Sequence, residues 1–202
     1  MSDSYNTISN YSEGIYKEKG SKFLAYAIPV ISEAAAGELI AQYKKEHHAA
    51  RHHCYAYRLG VRGEVYKAND DNEPTYTAGK PILGQIDSFG LTNILIIVVR
   101  YFGGTLLGKG GLVNAYKSAA ADALNNAIIA EKTLNDYFNV TCRYEDMNRV
   151  LKILGEEGLK PDEQNFEVEC VLKVGIRKSL VTKILNKLKL INSIKIDYIY
   201  TA

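Results

Sequence analysis

The chain has 202 residues, 47% of them hydrophobic and 24% charged, which suits one large domain or two modest ones with cores that need no disulfide or metal staples. Lysine and arginine number 25 against 23 aspartates and glutamates, so the net charge of +2 supplies no global basic field and any nucleic-acid binding must come from a local patch. No apolar run reaches the about 20 residues of a bilayer span, and the polar start, residues 1–10, lacks a signal-peptide stretch, so a cytoplasmic location is expected.

The first strand is expected over residues 22–30, rich in Phe, Leu, Tyr, Ile and Val. Ser32 is placed to N-cap a helix whose Ala36, Leu39, Ile40 and Tyr43 fall on one face. Residues 53–59 read as a strand, with His52, Cys54, Ala56 and Arg58 on one face and His53, Tyr55, Tyr57 and Leu59 on the other. A polar loop, residues 69–77, leads to a short helix over residues 78–88. Residues 93–99 are almost continuously apolar, the pattern of an interior strand. After a run of glycines, a long helix is expected over residues 112–130, with Leu112, Tyr116, Ala119, Ala123 and Ala127 forming a face of mostly small residues that can approach a sheet closely.

A second domain is expected from residue 133. Phe138, Val140 and Cys142 alternate with polar residues as in a strand, and Met147, Val150, Leu151 and Leu154 form a helical face ended by Gly158 and Pro161. Phe166, Val168, Cys170, Leu172 and Val174 alternate with Glu167, Glu169 and Lys173 as a half-buried strand, with a short strand before Phe166. A helix bearing Val181, Ile184, Leu185 and Leu188 and a last strand bearing Ile194, Ile196, Tyr198 and Tyr200 complete a β-α-β-β-α-β order. That order is the ferredoxin-like pattern, with one sheet face under helices and one open. The whole chain is thus expected to be α+β, with domains over residues 1–132 and 133–202.

Cys54, Cys142 and Cys170 are odd in number and form no C-x-x-C pair, so they read as small buried hydrophobes rather than disulfides or zinc ligands. All four histidines lie in residues 47–53, but a helix-to-strand crossing there spoils the His48/His52 spacing for a metal, and no metal or cofactor is expected. The segment reads instead as a basic, partly exposed helix end that satisfies terminal carbonyls, and a further reading puts His52 and Arg58 on one strand face as anion or partner contacts.

The run Gly103-Gly104-Thr105-Leu106-Leu107-Gly108-Lys109 nearly spells a phosphate loop between strand and helix. Gly110 stands where Ser or Thr would hold magnesium, which argues against nucleotide hydrolysis. Two readings stay open: a tight connection that needs its glycines, and an anion site formed by Arg100, Tyr101, Gly103, Gly104, Gly108 and Lys109. The acidic loop around Asp70 and Glu73, with Thr77 and Lys80, reads as a solvated loop in which Thr77 caps the next helix, or as a metal or acid/base site.

These pieces together resemble the IMPACT family, whose bacterial branch is called YigZ. The residues that carry the resemblance are Ala50-Arg51-His52-His53-Cys54-Tyr55-Ala56-Tyr57-Arg58, Asp70, Glu73-Pro74, Thr77-Ala78-Gly79-Lys80-Pro81, Arg100-Tyr101-Phe102-Gly103-Gly104, Leu107-Gly108, Gly110-Gly111-Leu112 and Ala115-Tyr116. Where the family's acidic loop reads Asp-Gly-Glu-Pro-Ser-Gly-Thr-Ala-Gly, this chain has Asn72 for the first glycine and Thr75-Tyr76 for Ser-Gly. The resemblance implies a first domain like ribosomal protein S-five domain two and a ferredoxin-like second domain. It also implies a non-enzymatic, translation-linked binding protein with RNA or the ribosome as partner. The alternatives are an enzyme acting on a phosphorylated small molecule or nucleotide through residues 103–111, and a protein-interaction module like the eukaryotic relative.

Overall fold

The computed structural model describes residues 3–166 and 169–201. The chain is mixed α/β and divides into two compact units, Tyr5–Lys132 and a second made of Met1–Ser4 with Thr133–Ala202. No described helix is long and apolar enough to cross a membrane.

The first unit is built on a five-stranded antiparallel sheet. Its strands are β2 (Ser12–Glu18), β3 (Ser21–Pro29), β4 (His52–Leu59), β5 (Val65–Asn69) and β6 (Ile94–Tyr101), in the order β2-β3-β6-β4-β5. A further strand, β1 (Ser4–Ile8), pairs with β7 (Ile129–Thr133) in a separate two-stranded ribbon. Lys19 and Gly20 turn β2 into β3 with φ of 45° and 79°, the left-handed pair a tight hairpin requires.

β6 lies at the centre and its apolar run is buried on both sides. Ile94, Ile96 and Val98 face a core shared with α2 (Gly79–Ser88) and α3 (Gly108–Asn125). Leu95, Ile97 and Val99 face a second core beside α1 (Glu33–Glu46). Continuous apolarity here reports two covered faces, not parallel strands, since β6 pairs antiparallel with β3 and β4. β4 alternates as its sequence predicts, with Cys54 and Ala56 in the α2/α3 core and Tyr57 and Leu59 in the other. Ser32 caps α1, its hydroxyl oxygen accepting the Ala35 N–H at 3.2 Å.

α3 starts a turn earlier than its apolar face suggests and ends five residues sooner, at Asn125. Leu112, Tyr116, Ala119 and Ala123 are buried against the sheet, while Ala127 lies beyond the helix. The small face lets α3 touch the backbone of β2: a Cβ at Gly14 would collide with the Ala123 amide.

The second unit runs β8 (Asn135–Cys142), α4 (Met147–Glu156), β9 (Glu163–Phe166), β10 (Cys170–Arg177), α5 (Val181–Leu188), β11 (Lys195–Thr201). The sheet order is β11-β8-β10-β9, all antiparallel. Phe138, Val140, Cys142, Cys170, Leu172, Val174, Val150, Leu154, Ile184 and Leu188 form its core. Phe166 belongs to β9, which pairs back along β10, so it does not extend one strand with Cys170 as its alternation suggested. Glu167 and Val168, assigned to that strand, lie outside the described residues. Asp3 joins this unit through two bonds to Arg177, at 2.8 and 2.9 Å, and one from the Ser179 N–H at 3.0 Å.

Candidate functional site

The end of β6, the loop after β5 and the start of α3 meet around a cleft of about 440 Å³. The start of β4 gives it Arg51 and His52, and the acidic loop gives it Asn72, Glu73 and Pro74. Arg100 and Phe102 enter from the end of β6, and Leu106, Leu107, Gly108, Lys109 and Leu112 from the start of α3. Strand register explains the first pairing, since His52 lies directly opposite Arg100.

At the base of the cleft sits a buried charge pair. Arg100 is 6% exposed and Glu73 8%, and Arg100 NH1 donates to Glu73 Oε1 at 2.6 Å. The same oxygen accepts the Tyr116 hydroxyl at 2.7 Å, from a ring buried in α3. Arg100 also lies against two rings, with its guanidinium carbon 5.4 Å from the centre of Phe23 and 5.5 Å from that of Phe102. Its Nε is buried and has no hydrogen-bond partner. An unpaired buried donor costs about 1–3 kcal/mol, so the guanidinium is held for charge while one of its N–H groups stays idle. Burial pushes the Tyr116 hydroxyl and the Cys54 thiol beside it well up, so both stay protonated.

The rim is cationic. Arg51 and Lys109 are exposed, and neither has an ion-pair partner among the described residues. Three cations therefore line the cleft against one carboxylate, and that carboxylate is already committed to Arg100 and Tyr116. Lys109 stands in the first turn of α3, whose N-terminus no side chain caps. Backbone N–H groups there lack intrahelical partners and favour negative charge. His52 donates from Nδ1 to the Asp71 carbonyl at 2.9 Å, which leaves its Nε2 for a further polar contact.

Several expected site residues lie elsewhere. Tyr101 follows Arg100 on a strand and so faces the opposite core, where its hydroxyl meets His47 Nδ1 at 2.9 Å. Arg58 sits at the far end of β4, with Nε and NH2 on Asp87 at 2.8 and 2.7 Å and NH1 on the Gly63 carbonyl at 2.6 Å. Gly103 and Gly104 do not line the cleft. Gly103 packs on the backbone of Gly20, where a Cβ would collide, and Gly104 has φ of 88°.

The acidic loop is folded around Asp70. Its Oδ1 accepts the N–H groups of Ala78 and Gly79 at 3.0 and 2.8 Å, and its Oδ2 that of Tyr76 at 2.9 Å. Asp70 therefore caps α2, the role expected of Thr77, whose hydroxyl instead donates to the Pro74 carbonyl at 2.6 Å. Lys80 reaches over the Tyr76 ring at 4.3 Å, away from the cleft. Asn72 and Tyr76, which stand where the IMPACT pattern has glycine, have φ of 68° and 66°. Both positions need a left-handed backbone, which Asn tolerates and Tyr does not favour. Tyr76 is outside the cleft lining, so its bulk does not obstruct it.

Asp71 is the hinge between this loop and the histidines, bonded to Lys44 Nζ at 2.7 Å and to the His53 N–H at 2.7 Å. Burial pushes the His53 ring down in pKa, and its Nε2 lies 3.2 Å from the His47 carbonyl. No group of three or more His, Cys, Asp or Glu side chains gathers to hold a metal among the described residues.

The cleft's cationic lining comes from the very segments that carry the family resemblance. The Impact N-terminal domain family matches residues 19–124, which include every residue of the cleft. The chain belongs to the IMPACT family. The IMPACT family member YvyE of Bacillus subtilis (strain 168) is 35% identical over 156 residues, covering 77% of this chain and 72% of YvyE. The IMPACT family member YigZ of Escherichia coli (strain K12) is 33% identical over 172 residues, covering 84% of each. A crystal structure of a hypothetical protein aligns over 99% of both chains with a TM-score of 0.72 and 29% identity. Sequence reasoning singled out Arg100 and Lys109 but not Arg51, Asn72 or Leu106 as cleft residues, nor Tyr116 as a partner of Glu73. Arg51, adjacent to His52 at the start of a strand, was the one with a usable signal.

Proposed function

We propose that this IMPACT family member is a non-enzymatic, translation-linked regulatory protein that contacts RNA, free or in the ribosome, through the cleft at the start of α3. The observation that carries the reading is a buried arginine with an idle N–H beneath a rim of two unpaired cations. Arg51 and Lys109 would neutralise backbone phosphates, and Asn72 and the Nε2 of His52 offer polar contacts beside them. The first unit is assigned to the ribosomal protein S-five domain-two-like fold and the second to the ferredoxin-like fold, on its β-α-β-β-α-β order and its sheet order. The two are proposed to fold separately near residue 133, which limited proteolysis tests.

RNA binding of wild type and Lys109→Ala over a salt series, beside an ATP hydrolysis assay, tests the function. Affinity should fall with salt, and the variant should bind more weakly with its salt slope reduced by about 1. Binding indifferent to both salt and Lys109 would defeat the reading. Hydrolysis that requires Lys109 would replace it with an enzyme acting on a phosphorylated substrate.

A further inference from the structure

A site meant only for phosphate needs charge and backbone N–H groups, not an apolar wall. This cleft has both. Phe102 is 49% exposed and Leu106 83% exposed, two large apolar side chains left in solvent beside the cations. They stand at the mouth of a cleft whose volume, about 440 Å³, falls in the range that holds a small ligand rather than a bare ion. Duplex RNA presents phosphates and 2′-hydroxyls but keeps its bases stacked. A single strand presents an unstacked base, flat and apolar on its faces and studded with acceptors at its edge.

We propose that the cleft holds one unstacked nucleotide. The base lies against Phe102 and Leu106. The idle Arg100 Nε–H donates to an acceptor on it once the exposed Phe102 ring, 5.5 Å from the guanidinium carbon, turns to stack. The phosphate lies between Arg51 and Lys109, at the uncapped start of α3. The recognised chemistry is a nucleoside monophosphate unit, carried by a single strand or free in solution. This rests on the RNA reading and narrows it from any RNA to single-stranded RNA.

The test uses the full chain and fluorescence anisotropy with a labelled single-stranded oligoribonucleotide, its duplex, and AMP or inorganic phosphate as competitors. The variants are Lys109→Ala, Phe102→Ala and Phe102→Tyr. Because Phe102 is half exposed, Phe102→Ala should keep its thermal midpoint, and circular dichroism checks this. The single strand should bind more tightly than the duplex, and AMP should compete where phosphate at the same concentration does not. Phe102→Ala should weaken binding by roughly five-fold or more and Phe102→Tyr should restore it. Duplex and single strand binding alike, with Lys109 required and Phe102 dispensable, would overturn the nucleotide pocket and leave the RNA reading standing. AMP binding that needs Phe102, with no binding of either RNA, would uphold the pocket, assign it to free nucleotide and overturn the RNA reading. No binding of RNA or AMP would overturn both.

Discussion

Arg58 and Arg100 project from the same face of one sheet, on neighbouring strands, yet the protein treats them in opposite ways. The register sets Arg58 opposite Ile94 and His52 opposite Arg100, so the two lie about 20 Å apart at opposite ends of the strand pair. Arg58 is satisfied: Asp87 of α2 takes two of its nitrogens, the Gly63 carbonyl takes the third, and the Tyr66 ring lies 5.1 Å from the guanidinium carbon. It pins the β4–β5 turn to α2 in the open, beside an Asp87 side chain that is 45% exposed. Arg100 is buried, holds one carboxylate and leaves Nε unpaired. An arginine with each of its three nitrogens held by the protein is a strut. One buried with a donor to spare, at the base of a cleft, is available to something else.

The contrast breaks most sharply at Glu73. Removing its carboxylate leaves the Arg100 charge buried and uncompensated, so Glu73→Ala should cost about 3–5 kcal/mol in urea unfolding. The double variant Glu73→Leu/Arg100→Met should recover most of that loss, because replacing both charges by apolar groups removes the desolvation problem. A small loss in the single variant would mean that water reaches the pair and that Arg100 is not held as described. Tyr116→Phe tests the third member. It deletes a hydrogen bond to the charged Glu73 oxygen without changing the packing of the ring, and should cost about 1.5–3 kcal/mol.

The next change goes the other way. Tyr76 holds φ of 66°, a left-handed backbone that penalises a side chain by roughly 1–2 kcal/mol. Tyr76→Gly should raise stability by about 0.5–1 kcal/mol, after glycine's greater entropy loss on folding is set against the relieved strain. Since Tyr76 is not part of the cleft lining, RNA affinity should not move. An affinity change would show that the acidic loop reaches the ligand.

Much of the scaffold was legible because it obeys short-range rules. Ser32 caps its helix, β6 is buried on both faces, and the small face of α3 seats against the sheet. β1, β2 and β5 went unread: β1 and β5 have five residues each and β5 is almost wholly exposed, while the buried positions of β2 are Ser12 and Gly14, which carry no apolar signal. The first turn of α3 was read as loop because glycines have low helix propensity, yet a first turn lacks its own N–H bonds and tolerates them. In the site, Arg100 and Lys109 were visible from their place at a strand end and a helix start. Strand alternation alone separates Arg100 from Tyr101. The partners were not visible, because Glu73 lies 27 residues from Arg100 and 43 from Tyr116, and only the packed sheet brings them together. Asp70 capping α2 from eight and nine residues away hid for the same reason.

The smallest effect is the one that most directly sharpens the comparison. Arg58→Ala removes two hydrogen bonds and a further ion-pair contact to Asp87, more than Arg100 makes to any carboxylate, so a count of contacts would make it the worse loss. The physical setting predicts the reverse. Asp87 is 45% exposed and is solvated by water once Arg58 is gone, and the Gly63 carbonyl sits in an open turn, so no charge is stranded. Exposed pairs of this kind are worth about 0–1 kcal/mol, and the urea midpoint of Arg58→Ala should move by no more than that. Its RNA affinity and salt slope should match wild type, because its guanidinium is tied to Asp87 and the Gly63 carbonyl at the end of the sheet away from the cleft. If Arg58→Ala weakens RNA binding as Lys109→Ala does, the ligand spans the whole sheet face, and the division between strut and site is wrong.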